Sequence, residues 1–372
     1  MKIIFDKSDL LNSINIVLKA VPSKTTMSIL ECILIDATTD EIKLTANDME
    51  LGIETKCKGE ILEKGCIAID SKIFSDIVRK LPDSEVIIET DSSLHMNISC
   101  EKAHFNIAGK NGEDFSALPD VEKDKFIYLS QFSLKELIRQ TIFSIAPADT
   151  SNKIMTGILF EINEGKMKVV SLDGHRVSLR NIELKDSFDN IKVIVPGKTL
   201  NEISKILNGN ADDEVRLFFT ENHIVFEFDD TVVVSRLIEG NYFKVEQMLS
   251  NDYETHIVVN KKDFMECIDR ATLLVKESDR KPIVFSIQDG EIELKIVSTI
   301  GSMNEKISIN KEGKDLMIGF NPKFLLDALK VIDDEEINLF MLNAKSPCFI
   351  KDDAGSFIYI VLPVNFNNPG AN

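Results

Sequence analysis

Apolar positions along this chain follow two periods that alternate and then recur. An alternating run leading into apolar residues at steps of four, three and four opens the chain at KIIFDKSDLLNSINIVLKAV, from residue 2. The same arrangement returns at FIYLSQFSLKELIRQTIFSI from 126 and HIVVNKKDFMECIDRATLLV from 256. Such steps place side chains on one helical face. They predict a buried stripe of Leu10, Ile14, Val17 and Val21, matched by Leu134, Ile138, Thr141 and Ile145 and by Phe264, Ile268, Ala271 and Val275.

A second strand-to-helix pattern also occurs three times, at IAIDSKIFSDIVRKLPD (67–83), VIVPGKTLNEISKILNG (193–209) and IGFNPKFLLDALKVIDD (318–334). Its stripes are Phe74/Ile77/Leu81, Leu200/Ile203/Leu207 and Leu325/Ala328/Ile332, each entered through a cap-like or proline-containing turn. Between the helices, period-two runs such as Ile42/Leu44/Ala46, Met167/Val169/Ser171 and Ile292/Leu294/Ile296 predict half-buried strands. Val86/Ile88, Val215/Leu217/Phe219 and Ile337/Leu339/Met341 repeat the pattern, with turns signalled at Glu164-Gly165, Asp289-Gly290 and Asp353-Ala354-Gly355. The expectation is an α+β chain of three repeated domains, each with two helices packed on antiparallel sheets. Boundaries fall at 1–125, 126–253 and 254–366, with 367–372 as a tail and no Gly/Ser-rich linker.

The outer face of the second helix changes the picture of charge. The whole chain carries a formal charge of −18, which by itself argues against nucleic acid as a partner. Yet Lys72, Lys198 and Lys323 match across the repeats, as do Asp76, Glu202 and Asp327, and Arg79, Lys205 and Lys330. One such helix reads as a solvated face with modest ion pairing. Three together hold seven bases against three acids, a basic asymmetry inside an acidic chain that points to a localised polyanion site. No array of side chains suited to base edges accompanies it, so contact would be to phosphates and indifferent to sequence.

Other chemistry is sparse. The six cysteines form no C-x-x-C pair and read as reduced, mostly buried residues, and the five histidines are dispersed, so neither metal nor cofactor is expected. VPGKTL (195–200) lacks the spacing of a phosphate loop. No apolar run is long enough to span a bilayer and the N-terminus does not read as a secretory signal, so a cytoplasmic location is expected.

The polar stretch SLDGHRVSLR (171–180) raises three readings. Catalysis would need His175 as base, Asp173 as its orienter and Ser171 or Ser178 as nucleophile, but neighbouring strand residues point to opposite faces and no glycine-rich elbow surrounds either serine. A tight turn built on Asp173-Gly174 and capped by His175 is the structural reading. The corresponding positions, Asp48 with Glu50 and Ser298 with Ile300, keep a polar turn without the other DGHR residues, so a role particular to the middle repeat is the third.

The three α+β repeats, the opening MKIIFDKSDLLNSI, the central DGHR and the closing IYIVLPV together resemble the bacterial sliding clamp, the beta subunit of DNA polymerase III, over essentially the whole chain. The resemblance implies a non-catalytic processivity factor for DNA replication. It implies a head-to-tail homodimer whose six domains form a ring lined by twelve helices, with a hole on the order of 28 Å for double-stranded DNA. It implies a groove that takes short peptides of the replicative DNA polymerase, the clamp loader and other partners carrying a clamp-binding motif. Carried over by position, the groove comprises Met155, Leu172, Gly174, His175, Arg176, Val177, Phe243, Gln247, Met248, Pro347, Ile360, Leu362, Pro363 and Val364. Phe243, Gln247 and Asn365 depart from the usual Pro, Arg and basic residue, which makes the rim bulkier and less cationic.

Lys24 takes the place of a basic DNA-facing loop residue, with Ser28 where Pro is usual, and joins Lys72, Arg79, Lys198, Lys205, Lys323 and Lys330 as the DNA-facing set. Phe105, Ile107, Leu273 and Leu274 match dimer-interface positions, though as core residues they would look much the same. On the residues alone, a monomeric three-domain scaffold that binds peptides and not DNA is the competing class.

Overall fold

The computed structural model describes residues 1–121, 123, 126–185, 188, 190–275, 281–352 and 354–366. The tail 367–372, the turn residue Asp353 and the boundary residue 125 lie outside the described residues. The element order runs strand, helix, strands, helix, strands three times. The helices are α1 (Lys7–Val17), α2 (Ser71–Lys80), α3 (Gln131–Arg139), α4 (Gly197–Ile206), α5 (Lys261–Thr272) and α6 (Pro322–Leu329). The first helix of each repeat starts the same way, because a short polar side chain accepts an otherwise orphaned backbone N–H. Asp6 accepts from Ser8 at 2.7 Å, Ser130 from Ser133 at 3.0 Å and Asn260 from Asp263 at 3.1 Å. Asp70 and Asn321 cap α2 and α6 likewise, whereas α4 follows Pro196, which has no side-chain acceptor.

The chain forms two compact units. One unit, 1–135 with 198–237, contains two antiparallel sheets. Five strands run in the order Glu60–Glu63, Lys2–Asp6, Glu85–Thr90, His95–Cys100 and Ala103–Ala108, which leaves Ala103–Ala108 on an edge. The nine-stranded sheet joins the first repeat to the second through Leu51–Cys57 and Thr231–Arg236, with Leu51 opposite Ser235 and Thr55 opposite Thr231. The other unit, 136–197 with 238–372, is built on one twelve-stranded antiparallel sheet. There Arg176–Glu183 pairs with Phe357–Val361, from Arg176 opposite Val361 to Arg180 opposite Phe357.

The expected stripes pack inward except at Ile77 and at the last position of each first-helix stripe, where Val21, Ile145 and Val275 are all half-buried. Leu10, Ile14 and Val17 are fully buried, but α1 tightens into a 3-10 turn at Leu18–Ala20, which leaves Val21 half-buried. On α2 the inward face is Phe74, Val78 and Leu81, and Ile77 is turned half outward. A step of four from Phe74 stays closer to the helix's own period than the step of three assumed from the sequence. The alternating strand residues Ile42/Leu44/Ala46, Met167/Val169/Ser171 and Ile292/Leu294/Ile296 are all buried. Glu164 and Gly165 both take positive φ, 48° and 77°, as a two-residue hairpin turn requires.

Candidate functional site

Residues 173–176 form a turn, and Asp173, not His175, closes it. One carboxylate oxygen accepts the backbone N–H of His175 at 2.9 Å and of Arg176 at 3.2 Å, while the other receives Arg176 Nε at 2.9 Å. Histidine has no short acceptor at that place in the turn, which is why the cap expected of His175 falls to the aspartate. Gly174 has φ +89° with nothing near a would-be Cβ, so the backbone conformation, not crowding, favours glycine there. At the equivalent site of the first repeat Met49 adopts φ 73°, and Asp48 accepts from Glu50 at 3.0 Å and Leu51 at 2.7 Å. In the third repeat Ser298 Oγ accepts from Ile300 at 3.1 Å. The same capped turn therefore stands at the same place in all three repeats.

The serines near this turn cannot serve as nucleophiles. Ser171 and Ser178 are fully buried and donate at 2.5 Å to the carbonyls of Thr141 and Gln140.

Arg176 is largely buried. Besides Asp173, its guanidinium donates to Asp327 at 2.7 Å and to the Phe143 carbonyl at 2.6 Å, and it lies 4.4 Å from the centre of the Phe324 ring. A guanidinium so engaged holds the local architecture together and has few donors left for a ligand. His175 is exposed, with its ring 6.0 Å from that of Phe324, and its carbonyl accepts the Leu362 N–H at 2.9 Å.

Beside the turn, an unbroken row of side chains crosses six neighbouring strands. His256 faces Phe340, then Phe349, Ile360, Val177 and Leu172 in successive direct register. Residues directly opposite in a sheet share a face, so the row is one continuous strip. Met155, Leu172, Val177, Phe243 and Ile360 belong to a single apolar cluster that also includes Tyr242 and Phe349. Gln247, Met248, Pro347, Pro363 and Val364 stand outside that cluster, with Gln247 and Met248 exposed on the 3-10 turn Val245–Met248. Lys168 pairs with Glu246 of that turn and holds its carboxyl below the usual range. Val364 donates its N–H to Gly319 at 2.8 Å, tying the C-terminal segment to the strand that leads into α6.

Two residues of this region escaped sequence reasoning. Phe324 lies against His175, and Asp327, which the helical pattern places as an acid among the matching bases, reaches Arg176. An aromatic residue at 324, where the matching positions hold Ile73 and Thr199, was the available signal.

Lys24, Lys72, Arg79, Lys198, Lys205, Lys323 and Lys330 are all exposed. Several are engaged: Lys198 with Asp48, Lys205 with Glu202 at 2.7 Å, and Arg79 with Asp76 at 3.2 Å. Phe105 and Leu273 are exposed, Leu273 by 77%, and Ile107 and Leu274 are half-buried.

Comparison with known proteins decides the family. The models of the N-terminal, central and C-terminal domains of the DNA polymerase III beta subunit match residues 1–119, 128–244 and 246–365. The chain belongs to this family. It is 33% identical over 365 residues to the beta sliding clamp of Staphylococcus epidermidis, covering 95% of this chain and 96% of the relative. The beta sliding clamp of Staphylococcus aureus is 34% identical over 367 residues, with the same coverages. Among solved structures, the DNA polymerase sliding clamp of Bacillus subtilis superposes with a TM-score of 0.95 at 34% identity, covering 99% of this chain and 100% of that one. A chain from Eubacterium rectale is 66% identical at the same TM-score, covering 98% and 100%. The chain is thus a processivity subunit of the sliding-clamp class, with no catalytic part. No helix among the described residues is long and apolar enough to cross a membrane.

Proposed function

We propose that two copies of this chain join head to tail into a closed ring that encircles duplex DNA without sequence preference. Held in place by topology, the ring keeps a replicative polymerase at high effective concentration on its template. Each copy contributes three domains, 1–125, 126–253 and 254–366, and the ring acts in the cytoplasm at the replicating chromosome.

One observation carries this reading: two junctions between repeats share one register, and the third lacks its partner strand among the described residues. In each, the strand after the capped turn pairs with the last strand of the following repeat, Leu51 opposite Ser235 and Arg176 opposite Val361. The equivalents left over are the strand entered at Gly301 and the edge strand Ala103–Ala108. The same rule sets Gly301 opposite Ile107 and Met303 opposite Phe105 across two copies. The matching pairs, Ile53 with Val233 and Ser178 with Tyr359, are fully buried. Phe105 is 40% exposed in the single chain. Leu273, Ile300 and Ile73 are further exposed apolar residues on these same repeats and would add contact area at the seam.

The exposed cations Lys24, Lys72, Arg79, Lys198, Lys205, Lys323 and Lys330 line the hole and meet phosphates loosely. The groove built around Met155, Leu172, His175, Val177 and Ile360 takes apolar anchors of partner peptides from the polymerase, the clamp loader and other clamp-binding proteins, with Phe243, Met248 and Leu362 at its rim. The test is retention on circular against linearised plasmid after loading. Retention on the circle with loss from the linear form is the expected outcome; equal retention on both would remove encirclement.

A further inference from the structure

The three turn-to-helix junctions are not chemically equal. In the first, the carboxylate of Asp48, nearly buried in its turn, pairs with Lys198 at the second position of α4. In the second, Arg176 at the end of its turn pairs with Asp327 of α6 at 2.7 Å. Each joins one repeat to the next with an ion pair between the capped turn and the second helix. The third turn is Ser298-Thr299-Ile300-Gly301, with no ionisable side chain in it. Its counterpart helix is α2, whose equivalent positions are Lys72 and Asp76.

We infer that the seam between two copies is the one kind of junction in the ring built without a turn-to-helix ion pair, and that Ser298 and Gly301, standing where the other turns place Asp48 and Arg176, make it so. This rests on the head-to-tail reading above. The turn geometry supports the assignment of Ser298. In Asp48 one carboxylate oxygen caps the turn and the other meets Lys198; in Asp173 the division is the same, with Arg176 as the cation. Ser298 Oγ performs the capping task alone and has no second oxygen to offer. Asp76 is paired with Arg79 of its own helix, and Lys72 is exposed with no ion pair among the described residues. At the intermolecular seam the capped turn and the facing helix therefore contribute no such pair.

The experiment measures the dimer dissociation constant of the full chain by sedimentation, with thermal unfolding recorded alongside. Ser298→Asp supplies the missing carboxylate at both seams of a dimer and should tighten association by about 2- to 30-fold, the range for two exposed ion pairs. Adding Lys72→Glu to that variant should reverse the gain, while Lys72→Ala in the natural chain should leave association unchanged. An unaltered or weaker dimer in Ser298→Asp, with unchanged thermal unfolding, overturns the inference. So does a clear loss of association in Lys72→Ala, a result that can be read even if Ser298→Asp disturbs the fold. Failure of the ring itself reads differently: the natural chain would sediment as a monomer, or Phe105→Asp would leave the dimer intact.

Discussion

Arg176 and Asp327, 151 residues apart in sequence, meet at 2.7 Å, and the side chain of Arg176 keeps only 8% of its surface exposed. Removing the acid leaves a mostly buried guanidinium with Asp173 as its remaining carboxylate. Asp327→Ala is expected to cost roughly 2–3 kcal/mol, below the 3–5 kcal/mol typical when a buried pair is broken outright. Urea unfolding measures it. A cost under half a kcal/mol would mean that solvent reaches Arg176 freely and that the junction does not depend on this pair.

Leu362 separates binding from stability. It is 42% exposed, and its N–H is fixed by His175, so truncating it disturbs no core. If it stands at the rim of a peptide groove, Leu362→Ala should weaken a clamp-binding peptide by about tenfold, as loss of one apolar anchor does, with no change in unfolding midpoint. Fluorescence anisotropy with a labelled peptide provides the check, and unchanged affinity would move the groove elsewhere.

The cysteines give a pH dependence whose sign follows from burial. Burial pushes the Cys57 thiol from 9.0 up to about 11; for Cys267 burial first, and Glu305 after it, raise the thiol to about 12. The folded state therefore favours the neutral thiol. The stabilisation this brings is complete below pH 9 and is lost as pH rises through 11 to 12. Urea midpoints should fall across that window, and Cys57→Ala should make the fall shallower. At neutral pH Cys66, the only half-buried cysteine among the six, should be alkylated first.

The sequence revealed repetition more readily than partnership. The periods of two and about 3.6 are set by which side chains must be buried, so Leu44, Val169, Leu294 and most of the helix stripes are legible in the sequence. Ile77 went astray because two neighbouring apolar residues, Ile77 and Val78, compete for one face and only packing against α1 selects between them. Asp327 could not be read as the partner of Arg176, since charge pattern along a helix says nothing about what faces it from another repeat. The matching acids Asp76 and Glu202 do behave as that pattern suggests and pair with Arg79 and Lys205 three residues on. The apolar strip from Leu172 to His256 depended on the register of strands far apart in the chain, which local sequence does not encode.

Lys198 and Lys205 look equivalent on the helical face, yet they stand in different surroundings, and this separates lining from scaffolding. Among the described residues Lys205 is paired with Glu202 of its own helix alone, an exposed contact contributing a few tenths of a kcal/mol. Lys198 meets Asp48, whose side chain is 7% exposed and whose turn depends on that carboxylate. Lys205→Glu should therefore shorten residence on circular DNA while leaving thermal unfolding within about half a kcal/mol of the natural chain. Lys198→Glu sets two carboxylates against each other and should lower stability by roughly 1–2 kcal/mol in addition to any loss on DNA. Raising salt should reduce the residence difference between Lys205→Glu and the natural chain, because phosphate contacts are screened. A salt-independent difference, or equal stability losses in the two variants, would mean that α4 does not turn Lys205 toward the duplex.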